Sequence, residues 1–212
     1  MSRTLLSDAR RLETRKTNIG KIIIFCEGKT EKFYFDYFIE IIKQSKYTDV
    51  EVIVETANGN AQTVQNLARS FMENEENNRK YSTYCQYLVF DCDAPPNIQD
   101  VVLSSNGYEL LISNFLFETW LLMHFEEVNT KLTKSEIYRR LTHHLRGDYS
   151  KAHKGKIREI VQNGSIEKAI DNAKTLEFKY EEQGKNIFVN INEMNPYTSV
   201  HKLIEQFMVE IS

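Results

Sequence analysis

The sequence has few cysteines and no long apolar run. Its three cysteines among 212 residues are an odd number without metal-ligand spacing, which argues against a disulfide scaffold and favours a reducing compartment. No apolar stretch approaches the roughly 20 residues that a membrane-spanning helix needs, and the polar N-terminal segment lacks the apolar region of a signal peptide. We therefore expect a cytoplasmic protein without a membrane partner.

The sequence also lacks a strong net charge. A formal net charge of -3 means that the chain as a whole is not a polybasic nucleic-acid binder, so any contact with phosphate has to be local or metal-mediated. Internal repeats and low-complexity tracts are absent as well. With 41% hydrophobic residues, the chain is long enough for a substantial core, as one large domain or as one domain with an insertion.

What is present is an alternation of strand and helix patterns over the first 126 residues. Short apolar runs predict strands, and apolar residues at helical spacing predict the helices between them. The predicted strands are 22–25, 50–55, 84–90 and 108–112, the predicted helices are 30–43, 61–73, 97–104 and 115–125, and the polar run 74–81 is interpreted as a link. This alternation predicts an α/β fold, with a parallel sheet and right-handed crossovers.

The remaining segments differ from this core, which we place at 21–126. Residues 1–20 are basic and polar and are interpreted as a surface arm. Residues 127–184 are polar and helical, with helices predicted at 134–145, 155–162 and 165–182, and are interpreted as a helical insertion. Residues 185–212 are predicted to return to the core with a short strand at 187–191 and a helix at 198–209.

Acidic residues follow two of the predicted strands. Glu27 comes after the first strand, and Asp91 and Asp93 come after the third. Ligands of open α/β sheets lie beyond the carboxyl ends of the strands, so the three carboxylates meet there if the strands are neighbours. An isolated Asp-x-Asp is common as a helix cap or Asx-turn, but carboxylates at two strand ends favour a site. Crowded carboxylates repel unless a cation joins them, and oxygen ligands favour Mg²⁺ or Mn²⁺.

Two further acids are candidates for the same site. Glu31 fits equally well as a fourth ligand and as a first-turn acid that the helix dipole stabilises. Glu118 lies in an apolar predicted helix, where an ionised carboxylate needs a partner or a metal. Residues 28–30 lack the preceding glycine of a Walker loop, and His124 is interpreted as a packed core histidine.

Positive charge concentrates in the predicted helical insertion. For any single residue a solvated basic face is the better interpretation, but together these residues are the best candidates for contact with a nucleic-acid backbone. The candidates are Lys151, His153, Lys154, Lys156 and Arg158, together with Lys29 beside the first acid.

Several segments together carry a resemblance to a known family. Residues 25–31 (Phe-Cys-Glu-Gly-Lys-Thr-Glu) and 90–93 (Phe-Asp-Cys-Asp) resemble the Toprim fold of primases, topoisomerases and some nucleases. Residues 113–125 (Ser-Asn-Phe-Leu-Phe-Glu-Thr-Trp-Leu-Leu-Met-His-Phe), the Tyr-Ser-Lys step at 149–151 and residues 195–200 (Asn-Pro-Tyr-Thr-Ser-Val) are similar to the RloB family. That family occurs in phage-defence and restriction-modification neighbourhoods of bacteria and archaea.

The resemblance implies a Toprim-like (Rossmann-like) parallel sheet and a function. It implies Mg²⁺-dependent phosphodiester cleavage of DNA or RNA, tRNA included, in anti-phage defence, with a defence-system protein as a further partner. The oligomeric state stays open. By resemblance, the metal-binding acids are Glu27, Glu31, Asp91, Asp93 and Glu118.

The residue roles that follow leave several alternatives open. Asp91 and Asp93 would bind one or two metal ions, and Glu27 would be a ligand or a general base. Lys151, which matches a lysine of the family, or Lys154 would offset charge in the transition state. A different class of function is a non-catalytic Toprim-like module that binds metal, nucleic acid or a protein of a defence system.

Overall fold

The computed structural model describes residues 16–45, 47–54, 59–93 and 98–211, and in this part of the chain the strands form one mixed sheet. The sheet order is β2-β1-β3-β4-β5, in which the first four strands are parallel and β5 runs antiparallel to β4. The strands are β1 (Lys16–Cys26), β2 (Tyr47–Val54), β3 (Cys85–Asp91), β4 (Glu109–Asn114) and β5 (Tyr197–Thr198). The predicted α/β class is confirmed, and the predicted parallel sheet is parallel except for β5.

Helices cover both faces of this sheet. The helices are α1 (Lys29–Ser45), α2 (Ala61–Glu73), α3 (Glu75–Tyr81), α4 (Ile98–Ser104), α5 (Phe117–Met123), α6 (Lys134–His144), α7 (Lys154–Asn163), α8 (Ile166–Glu182), α9 (Ile187–Asn190) and α10 (His201–Ile211). None of the helices in the described ranges is long and apolar enough to cross a membrane.

The central strand β1 shows why the strands are apolar on both sides. Successive side chains of a strand point to opposite faces, and Ile22, Ile24 and Cys26 pack into one hydrophobic cluster. Ile23 and Phe25 pack into a second cluster on the other face. Helices cover both clusters, so both faces of β1 are buried. A strand that is buried on both faces has a continuous apolar sequence.

The segment after α5 is helical, as predicted, and it packs on the same core as the sheet. Ile137 of α6, Ile157 of α7 and Ala173 of α8 belong to the cluster that contains Ile22 and Ile24. The three helices therefore lie against the α1 and α5 side of the sheet. This packing brings the loops between them towards the carboxyl ends of the strands.

The sequence prediction differs from the structure at the start of the sheet and after α2. Strand β1 begins at Lys16, so residues 16–20 of the predicted basic arm belong to the sheet, whereas residues 1–15 lie outside the described residues. The predicted polar link 74–81 is helix α3. The side chain of Asn74 accepts hydrogen bonds from the backbone N–H groups of Glu76 and Asn77, and this cap stabilises a helix that has no apolar stripe.

The predicted strand 187–191 is also wrong. This stretch contains helix α9, which Asn186 caps by accepting a hydrogen bond from the Phe188 N–H at 3.0 Å. Ile191 and Met194 are buried. Period-two and helical spacing cannot be told apart in so short an apolar run, and the fifth strand is instead Tyr197–Thr198.

Candidate functional site

The first two acids lie side by side because β1 and β3 are neighbours. Cys26 is paired with Val89 in the parallel register, and the backbone N–H of Glu27 donates to the carbonyl oxygen of Val89 at 3.1 Å. The backbone N–H of Asp91 donates in turn to Oε2 of Glu27 at 3.1 Å. Since β1 is followed on one side by β2 and flanked on the other by β3, both acids lie at the point where strand order reverses, which is the usual ligand position in open α/β sheets.

Asp91 is the buried centre of this site. Its exposed fraction is 2%, and neither carboxylate oxygen has a hydrogen-bond partner among the described residues. Burial raises the pKa of Asp91 well above its ordinary value, and the charges of Glu31, Glu27 and Glu118 raise it further. An ionised Asp91 is thus unfavourable unless a cation accompanies it.

Glu31, in the first turn of α1, contributes a second buried carboxylate. It is 1% exposed, and its Oε2 also lacks a partner in the described part of the chain. Burial raises the pKa of Glu31 to about 7, with further contributions from the charges of Glu118 and Glu27. A Cβ atom at Gly28 would lie 3.0 Å from this Oε2, so the glycine allows the carboxylate to approach the turn between β1 and α1.

Glu27 is only partly buried, and the backbone of Asp91 and that of Gly59 lie against it. Burial raises the pKa of Glu27 to about 7; the hydrogen bond from Asp91 opposes this shift, whereas the charges of Asp93 and Glu118 add to it. A Cβ atom at Gly59 would lie 2.6 Å from the Glu27 carbonyl oxygen and 2.8 Å from its Cγ. Gly59 is a site residue that sequence reasoning missed. A glycine close to a strand often marks a place where another backbone approaches closely, so its position shortly after β2 was a usable signal.

Glu118, in the first turn of α5, joins the cluster from a helix that is buried throughout. Its Oε1 accepts hydrogen bonds from the Tyr149 hydroxyl at 2.9 Å and from the Tyr138 hydroxyl at 3.4 Å. Its Oε2 has no partner in the residues that the structure covers. Burial and the Glu118 charge raise the pKa of both tyrosines, so each hydroxyl stays protonated and remains a donor.

Sequence reasoning missed the role of these two tyrosines. Tyr138 lies on α6 and Tyr149 in the loop before α7, 20 and 31 residues from Glu118. No spacing rule connects such positions with α5. The only local signal was the Tyr149 to Lys151 step.

Lys151 is the cation of this cluster. Its loop is attached to α1 because the backbone N–H of Ala152, which has a φ of 58°, donates to Oγ1 of Thr30 at 2.9 Å. Desolvation lowers the pKa of Lys151, but negative charges nearby raise it more. These charges are those of Glu118, Asp91, Glu31 and Glu27. Lys151 therefore stays charged beside the acids while its side chain reaches solvent.

The remaining predicted acid, Asp93, lies at the edge of the cluster. It is half-buried beyond the end of β3, and its charge raises the pKa of Glu27. Within the described ranges, no three His, Cys, Asp or Glu side chains converge closely enough to hold one metal ion as they are placed. The carboxylates of Glu27, Glu31, Asp91 and Glu118 nevertheless interact closely, and Lys151 is the lysine that interacts with them. This excess of negative charge must be balanced by protons or by a cation.

The other predicted basic residues do not all reach this cluster. Lys154 and Arg158 pair with Glu40 of α1, at 2.9 and 3.5 Å. These pairs are exposed, so the two cations can exchange Glu40 for another anion at little cost. Lys29 is exposed at the start of α1.

Two members of the predicted basic group have structural contacts. The Lys156 ammonium lies 3.3 Å from Glu159 and 3.2 Å from the Gly147 carbonyl oxygen, and its side chain is only 14% exposed. Nδ1 of His153 accepts the backbone N–H of Lys156 and caps α7. Both residues support the loop that carries Lys151.

His124 is a packed core histidine, as predicted. Its Nε2 lies 3.0 Å from the Tyr34 hydroxyl and its Nδ1 lies 3.1 Å from the Trp120 carbonyl oxygen. The carbonyl can only accept, so Nδ1 carries the proton and Nε2 accepts from the tyrosine. Burial lowers the pKa of His124 to about 4, which keeps the ring neutral.

Comparison with known proteins identifies the family but gives no individual relative. No curated protein and no solved structure matches the chain. One family model, described as RloB-like protein, matches residues 22–207. This range includes all five acids, both tyrosines that bind Glu118, and Lys151. The chain therefore belongs to the RloB-like family.

Proposed function

We propose that this protein is a Mg²⁺- or Mn²⁺-dependent nuclease that hydrolyses phosphodiester bonds of DNA or RNA. The observation that carries the proposal is Asp91, a buried carboxylate at the strand-order reversal whose two oxygens have no hydrogen-bond partner in the described chain. Perturbed, clustered acids at such a position are typical of a reaction centre. The Toprim resemblance of residues 25–31 and 90–93 supports the same function.

The donor chemistry fits a hard divalent cation. In the acid cluster, the buried oxygens without a hydrogen-bond partner in the described chain are carboxylate oxygens of Asp91, Glu31 and Glu118, and oxygen-only sets favour Mg²⁺ or Mn²⁺ over zinc or copper. As the side chains are placed, the acids do not converge on one point. Binding would therefore require their side chains to move closer together.

The residues have distinct roles in this proposal. Asp91, Glu31 and Glu118 would hold the cation, with Asp93 at the edge. Bound Mg²⁺ supplies polarisation of the phosphate and a lower pKa for a coordinated water.

Glu27 and Lys151 complete the proposed machinery. Glu27, whose pKa is raised to about 7 by burial, suits a general base at neutral pH because it can accept a proton from water and release it again. Lys151 would offset negative charge on the phosphate, since it stays protonated next to the acids.

The resemblance also supports a biological setting. Members of the family occur in phage-defence loci, so we infer that cleavage serves anti-phage defence in a bacterium or archaeon. Expression of the chain in a phage-sensitive bacterial host tests this part. The wild-type protein should reduce phage yield and Asp91→Asn should not; equal phage yields with both proteins would contradict the defence role.

Cleavage itself is tested with the purified full-length chain on single-stranded DNA, duplex DNA, RNA and tRNA, in Mg²⁺, Mn²⁺ or EDTA. We expect divalent-ion-dependent products from the wild type and a loss of at least 100-fold in rate for Asp91→Asn. Asp171→Asn, an exposed acid on α8, is the matched control and should keep the wild-type rate. Cleavage that persists in EDTA or in Asp91→Asn would refute the proposal.

One observation favours a second candidate, a non-catalytic module that binds metal, nucleic acid or a defence protein. Among the described residues, no three of the acids are placed to share an ion, which is the arrangement expected if a basic group of a partner neutralises them. Binding of the same substrates without cleavage in any metal would support this candidate against the nuclease.

A further inference from the structure

A cavity of about 650 Å³ opens beside the acid cluster. It lies between the carboxyl ends of β3 and β4, the loop before α6 and the loop after α9. Its walls combine polar side chains with apolar surface from Phe115, Leu132 and Cys92. The lining includes Cys92, Asn114, Phe115, Lys131, Leu132, Lys134, Asn192 and Asn195.

The cavity and the acid cluster are connected in two places. Cys92, in the cavity wall, is the residue between Asp91 and Asp93. On the other side, the Lys134 ammonium lies 5.8 Å from the centre of the Tyr138 ring, and the hydroxyl of that ring donates to Glu118. A ligand in the cavity would therefore lie next to the acids.

The cations of the cavity are available to a ligand. Lys131 and Lys134 are both exposed, and neither forms an ion pair with a residue of the described ranges; Lys134 makes only the cation–π contact with Tyr138. Two unpaired ammonium groups at one opening are suited to a phosphate group. They carry the only formal charges among the lining residues of this cavity.

The part of the wall that carries asparagines is suited to a nucleobase. Asn114, Asn192 and Asn195 present amides, which both donate and accept hydrogen bonds, as the edge of a base requires. Asn114 is 4% exposed, and its Nδ2 donates to the Ile191 carbonyl oxygen at 2.7 Å, so this amide is fixed before any ligand binds. Phe115 and Leu132 add apolar surface, and an aromatic ring can stack on a base.

We propose that this cavity binds one nucleotide of a single-stranded nucleic acid, next to the phosphodiester that the acid cluster would cleave. The lysines bind its phosphate, and the asparagines and Phe115 bind its base. The volume lies within the range of small-ligand sites. This inference rests on the proposed nuclease function, because it assigns the cavity to the substrate of that same site.

The first test measures binding without cleavage. Adenosine, guanosine, cytidine and uridine 5′-monophosphates are titrated in EDTA into the full-length ¹⁵N-labelled chain, and the side-chain amide signals of asparagine are followed by NMR. We expect at least one nucleotide to shift the Asn114, Asn192 or Asn195 amides and to bind at least tenfold more tightly than inorganic phosphate or the matching nucleoside. Absence of these shifts, or equal binding of inorganic phosphate, would overturn the proposal.

Variants localise the binding. Lys131→Ala combined with Lys134→Ala should weaken the nucleotide at least tenfold, and Asn192→Ala, an exposed lining residue, should weaken it several-fold. Lys43→Ala, an exposed lysine at the end of α1, is the matched control and should bind within twofold of wild type. Wild-type affinity in the double variant would show that the nucleotide binds elsewhere and would refute its assignment to this cavity.

A second measurement separates this inference from the proposed function. In the cleavage assay, the double lysine variant should raise KM for a single-stranded oligonucleotide about tenfold and change kcat less than threefold. If the wild type cleaves nothing but binds the mononucleotide through Lys131 and Lys134, the nuclease fails and the nucleotide site stands. If the wild type cleaves and the double variant has an unchanged KM, the nuclease stands and the nucleotide site fails.

Discussion

Replacement of Asp91 by Asn should make the metal-free protein more stable and at the same time abolish its response to Mg²⁺. Asp91 is 2% exposed, and its two oxygens have no hydrogen-bond partner in the described chain. A buried carboxylate in this situation destabilises the fold, and asparagine has nearly the same shape without the charge. The two effects have opposite signs, which a general packing defect cannot reproduce.

The magnitude follows from the cost of a buried charge. A buried group without a hydrogen-bond partner costs roughly 1–3 kcal/mol, and more when it is charged, so removal of the charge should recover an amount of this order. We expect the lower half of that range, because the raised pKa of Asp91 lets it take up a proton and avoid part of the cost. For a chain of this size, each kcal/mol corresponds to about 2–4 °C in Tm. Saturating Mg²⁺ should stabilise the wild type by about 2.7 kcal/mol at 100 times its Kd.

The assay is urea denaturation followed by circular dichroism at pH 7.5, in EDTA and in 10 mM MgCl₂. In EDTA, Asp91→Asn should unfold at higher urea than the wild type; in MgCl₂, only the wild type should gain stability. Asp171→Asn should behave as wild type in both buffers. If Asp91→Asn is less stable in EDTA, or gains as much as the wild type from Mg²⁺, the account of Asp91 as an uncompensated ligand is refuted.

Three further predictions concern the surroundings of the acids. Tyr149→Phe removes the 2.9 Å hydrogen bond to the buried Glu118 carboxylate and should lower the free energy of unfolding by about 1.5–3 kcal/mol, measured by urea denaturation; no change would contradict the role of this hydroxyl. Burial lowers the pKa of His124 from 6.5 to about 4, so the contribution of the neutral ring to stability is complete above pH 6.5. This contribution declines as pH falls towards 4, by up to about 3 kcal/mol. His124→Gln should lose this part of the pH dependence of stability, and an unchanged pH profile would contradict the prediction. Gly59→Ala places a methyl group 2.6 Å from the Glu27 carbonyl oxygen and should cost about 1–3 kcal/mol; wild-type thermal stability of this variant would show that the approach is not tight.

The sequence by itself determined the elements that depend on local patterns. Apolar periodicity is a property of neighbouring residues, so the four parallel strands and the helices that follow them were predicted, although β1 begins six residues before its predicted start. The positions of Glu27 and Asp91 at strand ends were equally visible, because an acid directly after a buried apolar run is a local feature. Apolar periodicity alone could not determine the secondary structure of residues 187–191, because a run of five residues fits a strand and a helical turn equally well.

Only the tertiary structure decided which of these residues meet. The order β2-β1-β3 makes Glu27 and Asp91 neighbours, and the packing of α6 to α8 on the same core brings Tyr149 to Glu118. Lys151 depends on a hydrogen bond between Ala152 and Thr30, which are 122 residues apart. Such contacts follow from how helices pack on the sheet, and no local spacing encodes them. The sequence thus supplied the acids, and the fold supplied the burial that raises the pKa of Asp91, Glu31 and Glu27 and the hydroxyls that hold Glu118.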